Sequence, residues 1–196
     1  MESRANRAGR NALVVQAASA TTFPMQRSLV MTVIGKDRPG LVESVANIVA
    51  EHGGNWLESR MSRLGGYFAG IVRVEVPAEK ERPLADSLKD LDARGLTVVV
   101  HSDEPQAAVA RQTNILEIVG QDRPGIVRQI SHTLAKFGVN VEELHTECAS
   151  AAMSGETLFK AKAVLHVPPS CEVSKLREEL ERIAGDLIVE ISLEKL

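Results

Sequence analysis

The sequence predicts an α+β protein built from two copies of one unit, in which strands and helices follow each other in the order βαββαβ. The octapeptide GKDRPGLV at residues 35–42 recurs 85 positions later as GQDRPGIV, with six of eight residues identical. In both copies this octapeptide separates a β-rich run from an apolar stripe at helical spacing. A unit of about 80 residues is large enough for one helical layer on one sheet.

The duplication extends beyond the octapeptide. The same offset aligns Asn55 with Asn140, whereas Phe68 aligns with Phe159 at an offset of 91. An offset that grows in one place indicates a duplication followed by an insertion, here near Cys148–Gly155.

The first half of each copy is predicted to be a strand, a turn and a helix. The β-rich runs are Ser28–Ile34 and Thr113–Val119, and each ends at a glycine. After the DRPG turn, apolar residues at helical spacing define a stripe that is expected to face the core. These residues are Leu41, Val42, Val45, Ile48 and Val49 in the first copy and Ile126, Val127, Ile130, Leu134 and Phe137 in the second.

The second half of each copy adds two strands, a helix and a last strand. The paired strands are predicted at Asn55–Arg63 and Tyr67–Val76, and at Asn140–Glu147 and Thr157–Val167. The glycine pair between the first two of these strands predicts a tight hairpin. The second helices are expected to bury Leu84, Leu88 and Leu91, or Leu176, Leu180 and Ile183, and the last strands are predicted at Leu96–Val100 and Leu187–Ile191.

The βαββαβ order predicts two ferredoxin-like units, each an antiparallel four-stranded sheet with both helices on one face. The predicted organisation is a disordered extension at residues 1–26, a first domain at 27–103, a linker at 104–112 and a second domain at 113–196. Hydrophobic residues make up 44% of the chain but aromatic residues only 3%, so we expect cores of Val, Leu, Ile and Ala.

The first 26 residues differ from the rest in charge. Three arginines outweigh one glutamate there, so this segment carries a net charge of +2 and the remainder carries −5 of the total −3. Arg-rich leaders are typical of transit peptides, but the glutamate and the lack of an amphipathic period argue against one. A disordered tail, or a natural start nearer Met25 or Met31, is the preferred alternative.

Composition and motifs exclude several function classes. No apolar run approaches the roughly 20 residues that cross a bilayer, so no membrane partner is expected. An acidic body is a poor partner for phosphates, which argues against direct nucleic-acid binding. Cys148 and Cys171 form no disulfide framework, which favours a reducing, cytoplasmic location. The sequence has no recognised catalytic motif and no metal-ligand spacing, so we expect no enzyme activity, no catalytic residue, no metal and no cofactor.

The DRPG turns are the places where chemistry is expected. Asp37 or Arg38 can cap the following helix, Pro39 suits its first turn, and Gly40 leaves the backbone uncovered. Amide groups at a helix N-terminus carry partial positive charge and accept a carboxylate.

The aspartate of each turn completes a receptor for a small zwitterion. The carboxylate of Asp37 can hold an ammonium group beside the amides, which together suit an amino acid. The second copy presents the same arrangement at Asp122, Arg123, Pro124 and Gly125. The alternative is a well-capped helix start that binds nothing.

Asn55 and Asn140 strengthen this hypothesis. Each follows its turn aspartate by 18 residues and begins the second strand of its copy. An amide there can donate to a ligand carboxylate, particularly across an interface between copies. The alternative is that these asparagines are ordinary turn residues.

The βαββαβ order, the GxDRPG turn and the following asparagine resemble the ACT domain, a regulatory fold that binds amino acids at domain interfaces. The resemblance covers about residues 27–193 in two copies, as in the tandem-ACT proteins that repress the glycine cleavage system. In amino-acid-binding members, the turn and the asparagine contact the ligand. The site residues implied here are Asp37, Arg38, Pro39, Gly40, Leu41 and Asn55, with Asp122, Arg123, Pro124, Gly125, Ile126 and Asn140.

The resemblance implies a non-enzymatic regulator that senses a small amino acid, glycine or serine-like, and controls a partner protein. The implied partner is a DNA-binding transcriptional regulator of glycine cleavage or one-carbon metabolism, and the implied assembly is a homodimer. A regulatory module acting on a separate amino-acid or folate enzyme is the alternative. A ligand-free dimerisation scaffold is a third hypothesis.

Overall fold

The computed structural model describes residues 25–103, 112–150 and 157–195. The predicted extension and linker therefore lie almost wholly outside the described residues, as does most of the predicted insertion at Cys148–Gly155. The chain divides into two compact units between residues 106 and 107, and each unit is described by itself.

The first unit follows the predicted order of elements. Its strands are β1 (Gln26–Lys36), β2 (Asn55–Leu64), β3 (Tyr67–Pro77) and β4 (Leu96–Ser102), and its helices are α1 (Leu41–Glu51) and α2 (Glu81–Lys89). Short 3₁₀ segments at Ala78–Lys80 and Asp90–Arg94 flank α2. The two strands β2 and β3 are joined by Gly65 and Gly66, both with positive φ, which is the backbone that a two-residue hairpin requires.

The second unit repeats this order. Its strands are β5 (Gln112–Gln121), β6 (Asn140–Ser150), β7 (Thr157–Val167) and β8 (Val189–Lys195), and its helices are α3 (Ile126–Lys136) and α4 (Val173–Leu187). The sheet orders are β2-β3-β1-β4 and β6-β7-β5-β8, and all neighbouring strands are antiparallel. This topology confirms the predicted α+β class with two ferredoxin-like units.

One apolar core lies between the sheet and the helices of each unit. On β1 the side chains of Leu29, Met31 and Val33 alternate with more exposed neighbours and are at most 2% exposed. Other members of the first core include Val45 and Val49 of α1, Leu84 and Leu88 of α2, and Val72, Val74 and Val76 of β3. The cores consist mainly of aliphatic residues, as the composition predicts.

Two details of the predicted helices are wrong. Val42 and Val127 were expected on the buried stripe but are 44% and 46% exposed. Each follows a buried residue, Leu41 or Ile126, and one residue step turns a helix by about 100°, so its side chain lies away from the core. Leu187 was expected to begin the last strand but ends α4 instead. Its side chain is buried in the core, one helical turn beyond Ile183, and packing there extends the helix.

Truncation of a core leucine tests the packing of each unit. We expect Leu88→Ala in the first unit and Leu180→Ala in the second each to lower the free energy of unfolding by about 2–5 kcal/mol, because both side chains are fully buried. The matched control is Leu64→Ala, whose side chain is 84% exposed and whose loss should cost within about 0.5 kcal/mol. Urea unfolding followed by circular dichroism measures all three, and equal effects would contradict this core assignment.

Two glycine-to-alanine substitutions are expected to act in opposite directions. A Cβ at Gly35 would lie 2.6 Å from the carbonyl oxygen of Gly95, so Gly35→Ala should destabilise the first unit by about 1–3 kcal/mol. A Cβ at Gly185 meets no atom within 4 Å, so Gly185→Ala should stabilise α4 by up to about 1 kcal/mol through helix propensity. Thermal unfolding distinguishes the signs, and a stabilised Gly35→Ala protein would refute the proposed clash.

Candidate functional site

The turns before α1 and α3 are built around a left-handed glycine. Gly40 has φ 88° and Gly125 has φ 99°, and each is the residue that immediately precedes its helix. A side chain is strained in this region of φ, so glycine is the residue that fits. The expectation that Asp37 or Arg38 caps the helix is wrong, because Gly40 occupies the capping position and α1 has no side-chain cap.

Both helices begin with backbone amides that lack a backbone partner. The first helical hydrogen bonds run from Ser44 N to Gly40 O at 2.9 Å and from Gln129 N to Gly125 O at 3.0 Å. Within the described residues, the amides at 41–43 and 126–128 donate to no backbone carbonyl. These groups carry the partial positive charge of a helix N-terminus and are available to an anion.

The first turn is fastened to the rest of its unit by both of its charged residues. The amide of Asp37 donates to Gly66 O at 3.0 Å, and the Asp37 carboxylate pairs with Arg63 Nε at 2.5 Å. The guanidinium of Arg38 donates to the carbonyl oxygen of Arg94 at 3.0 Å. The Asp37 side chain is 33% exposed, so this ion pair lies at the surface of the turn.

The second turn has the same backbone but different side-chain partners. The amide of Asp122 donates to Thr157 O at 2.9 Å, and Arg123 donates to Gln121 Oε1 at 3.0 Å. In the part of the chain that the structure describes, no cation pairs with the Asp122 carboxylate. Cys148, which is exposed, occupies the position equivalent to Arg63 of the first unit.

A cavity of about 270 Å³ lies beside the first turn. Its lining residues come from the turn, from the first helical turn of α1 and from β3, and they are Asp37, Arg38, Gly40, Leu41, Val42, Glu43 and Phe68. Most of the predicted site residues of the first copy therefore line one space. Pro39, which was predicted as a site residue, is not among the lining residues.

The predicted asparagines lie far from the turn of their own unit. Asn55 is opposite Glu75 in the sheet, whereas the turn is beside Tyr67, eight residues along β3. That separation is about 26 Å along the strand. Asn140 is likewise at the far end of its strand, opposite His166. The reason is that β2 and β6 begin where the preceding helices end, at the opposite end of the sheet from the turn.

Sequence reasoning missed two residues that differ between the turns. Glu43 lies in the first turn of α1, and the equivalent residue in α3 is Arg128. Arg63, which pairs with Asp37, is replaced by Cys148. The signal was present in the repeat itself, because the offset of 85 aligns both pairs and their charges differ.

Two observations concern other titratable groups in the described segments. No three His, Cys, Asp or Glu side chains there lie close enough to hold a metal ion. Burial, and to a lesser extent the charge of Glu172, raises the pKa of the Cys171 thiol, which disfavours the nucleophilic thiolate. None of the described helices has the length and apolar character required to span a membrane.

Curated proteins of two kinds resemble the chain over most of its length. The phosphoserine phosphatase SerB2 of Mycobacterium tuberculosis is 24% identical over 178 residues, which cover 88% of this chain and 42% of the phosphatase. The chain therefore spans less than half the length of that relative. The glycine cleavage system transcriptional repressor of Escherichia coli is 22% identical over 172 residues, which cover 85% of this chain and 88% of the repressor.

A solved structure and a family comparison agree with the fold. The crystal structure of an unknown protein from Galdieria sulphuraria has a TM-score of 0.80 and 29% sequence identity, covering 88% of this chain and 99% of that protein. The family described as the ACT domain matches residues 27–101 and again residues 112–194. The chain thus belongs to the ACT domain family, of which it carries two copies in tandem.

Proposed function

We propose that this chain is a regulatory protein that senses a small amino acid at its ACT turns and thereby controls a partner protein, without catalysing a reaction itself. The observation that carries this proposal is the set of amides in the first turns of α1 and α3 that have no backbone partner among the described residues. Membership of the ACT family in both halves of the chain supports it.

The chemistry of the turn suits a zwitterion. The amides at 41–43 or 126–128 bind the ligand carboxylate, and the carboxylate of Asp37 or Asp122 binds its ammonium group. The glycines at 40 and 125 have no side chain to block the approach of a small ligand to these amides. Glycine and serine have the small side chains that such a site favours.

The asparagines enter this site from a second chain. Because Asn55 and Asn140 lie at the far ends of their strands, they complete the predicted site only when another unit supplies the turn, either the other unit of the same chain or a unit of a second copy. We propose the second of these, a homodimer in which ligand binding favours one arrangement of the two chains. A ligand changes an equilibrium only through such a difference in affinity.

The proposed partner is a DNA-binding transcriptional regulator of glycine cleavage or one-carbon metabolism. The similarity to the Escherichia coli repressor, which covers 85% of this chain, supports this choice. The net charge of −5 outside the first 26 residues disfavours direct binding to DNA, so the effect on transcription would pass through a protein contact in the cytoplasm.

The phosphatase similarity favours one alternative. SerB2 matches 88% of this chain with 42% of its own length. A chain with this relationship to an enzyme is a candidate regulatory module for a separate enzyme of amino-acid or folate metabolism.

Thermal unfolding against a panel of amino acids tests the sensor function. A ligand present at about 100 times its dissociation constant should stabilise the protein by roughly 2.7 kcal/mol. We expect glycine or serine to raise the melting temperature, and we expect the double variant Asp37→Ala/Asp122→Ala to lose that rise because no carboxylate remains for the ammonium group. The control is Asp86→Ala, which removes an exposed aspartate of α2 outside the turns. A panel without any stabilising amino acid would refute the sensor proposal.

Affinity purification of the full chain from its own cells tests the partner. We expect a DNA-binding regulator to copurify, and added ligand should change its yield because ligand and partner share one conformational equilibrium. Mass spectrometry identifies the partner, and Asp86→Ala again serves as the control bait. If the bait instead recovers an amino-acid or folate enzyme in a ligand-dependent way, and no transcription factor, the chain is better explained as a regulatory module of that enzyme than as a regulator of transcription.

A further inference from the structure

We infer that the outer face of the first sheet, which is the face turned away from α1 and α2, is an interface through which two copies of this chain form a dimer. The proposed function includes a homodimer but assigns no surface to it. The inference does not depend on a ligand, because it follows from the way in which the outer faces of the two sheets differ.

The outer face of the first sheet carries an exposed apolar patch. Side chains alternate between the two faces of a strand, so the residues between the core positions of β1, β3 and β4 lie on the outer face. Exposed large apolar side chains on it include Ile34, Tyr67, Ile71 and Val99. Ile71 and Val99 flank Thr32 on either side, and Ile34 is two residues further along β1. These apolar side chains are therefore neighbours and form one patch.

The second sheet has a polar outer face at the equivalent positions. The row across it that matches Ile71, Thr32 and Val99 of the first sheet consists of Lys162, Glu117 and Ser192. The ammonium of Lys162 lies 2.8 Å from the carboxylate of Glu117. Because the two units share one architecture, an apolar outer face is not a requirement of the fold. The patch on the first sheet thus calls for a different explanation, and exposed apolar patches are typical of interaction surfaces.

The net charges of the two faces favour the first as a contact between copies. Among the described residues, the outer face of the second sheet has a net charge of −3, from Glu117, Glu143, Glu147, Glu190 and Glu194 with Lys160 and Lys162. Two copies of such a face repel each other. The outer face of the first sheet has no net charge, from Glu58, Glu75 and Asp103 with Lys36, Arg60 and Arg73.

The charges on the first outer face are also arranged so that two copies complement each other. Glu75 and Asp103 both lie beside Ser28 near the start of β1, whereas Lys36 ends β1 at the opposite end of the sheet. When two such faces stack with their strand directions reversed, Lys36 of each copy lies over the acidic end of the other. The apolar patch lies between these ends and meets its own counterpart, as a twofold axis requires.

The face is large enough for a dimer. Four strands about 4.8 Å apart, with nine residues of about 3.3 Å each, give a face on the order of 600 Å². Two such faces bury about 1,200 Å² in total, which is the lower end of the range for specific protein interfaces. Packed sheets interdigitate their side chains, and the small residues Thr32 and Ala69 beside Ile71 and Ile34 leave room for this.

Sedimentation velocity of the full chain over a range of concentrations tests this interface. We expect the natural protein to dimerise. Ile71→Lys and Ile34→Lys should each raise the dissociation constant of the dimer at least about tenfold, because each places a charge in an apolar contact. The matched control is Val119→Lys, which changes the equivalent of Ile34 on the second outer face and should leave the dimer intact. Thermal unfolding checks that the variants are folded, as expected for exposed positions.

A charge exchange tests the orientation of the two copies. Lys36→Glu should weaken the dimer, because the new carboxylate lies over the acidic end of the other copy. The double variant Lys36→Glu/Glu75→Lys should recover at least part of this loss, because opposite charges face each other again. An effect of Lys36→Glu confined to its own chain would not be recovered in this way, and that result would overturn the reversed orientation.

The outcomes separate this inference from the proposed function. A natural protein that stays monomeric at every concentration measured would overturn the interface. Dimers that persist in both isoleucine variants, or that Val119→Lys dissociates to the same extent, would overturn the assigned face while the homodimer stands. If Ile71→Lys instead abolishes copurification of a regulator and leaves the dimer intact, the face belongs to the partner protein and the inference is wrong. Failure of every amino acid to stabilise the chain would refute the sensor function and leave this interface unaffected.

Discussion

The left-handed glycine before the first helix of each unit is the constraint on which the candidate site depends. Gly40 and Gly125 adopt φ values near 90°, and this backbone places glycine at the position where another protein has a capping side chain. Since glycine has no side chain to donate or accept a hydrogen bond, the first amides of the helix have no internal partner among the described residues. A helix that cannot cap itself in this way gains stability when an external anion binds its N-terminus.

The fold supports these turns by joining them to rigid strands. The amides of Asp37 and Asp122 each bond to the start of the hairpin partner strand, at Gly66 and Thr157, so each turn is fixed at one end of its sheet. The buried faces of the helices hold the other side of the turn through Leu41 and Ile126, which are 3% and 2% exposed. Helix packing therefore positions the amides. The affinity of this site for a ligand would thus depend on the position of the helix relative to the sheet.

Duplication preserved the backbone of the turn more strictly than its electrostatics. Both copies share the sheet order, the glycine geometry and the aspartate. The residues around the aspartate are surface residues, and their replacement costs little stability, so they were free to diverge in charge. The two copies thus keep one architecture while the charged residues beside the turn differ.

The sequence by itself determined the duplication, the βαββαβ order and most of the core, because apolar periodicity and glycine turns are local properties of the chain. It also predicted Asp37, Asp122 and the glycines of the turns as candidate site residues, and this stays a prediction. Only the tertiary structure decided that Leu187 continues a helix, since burial against the sheet overrode the strand pattern. Only the structure placed Asn55 and Asn140 far from the turns and Arg63 beside Asp37. The physical reason is that contacts between residues distant in sequence depend on which strands pair and in which direction, and local patterns do not encode a distance.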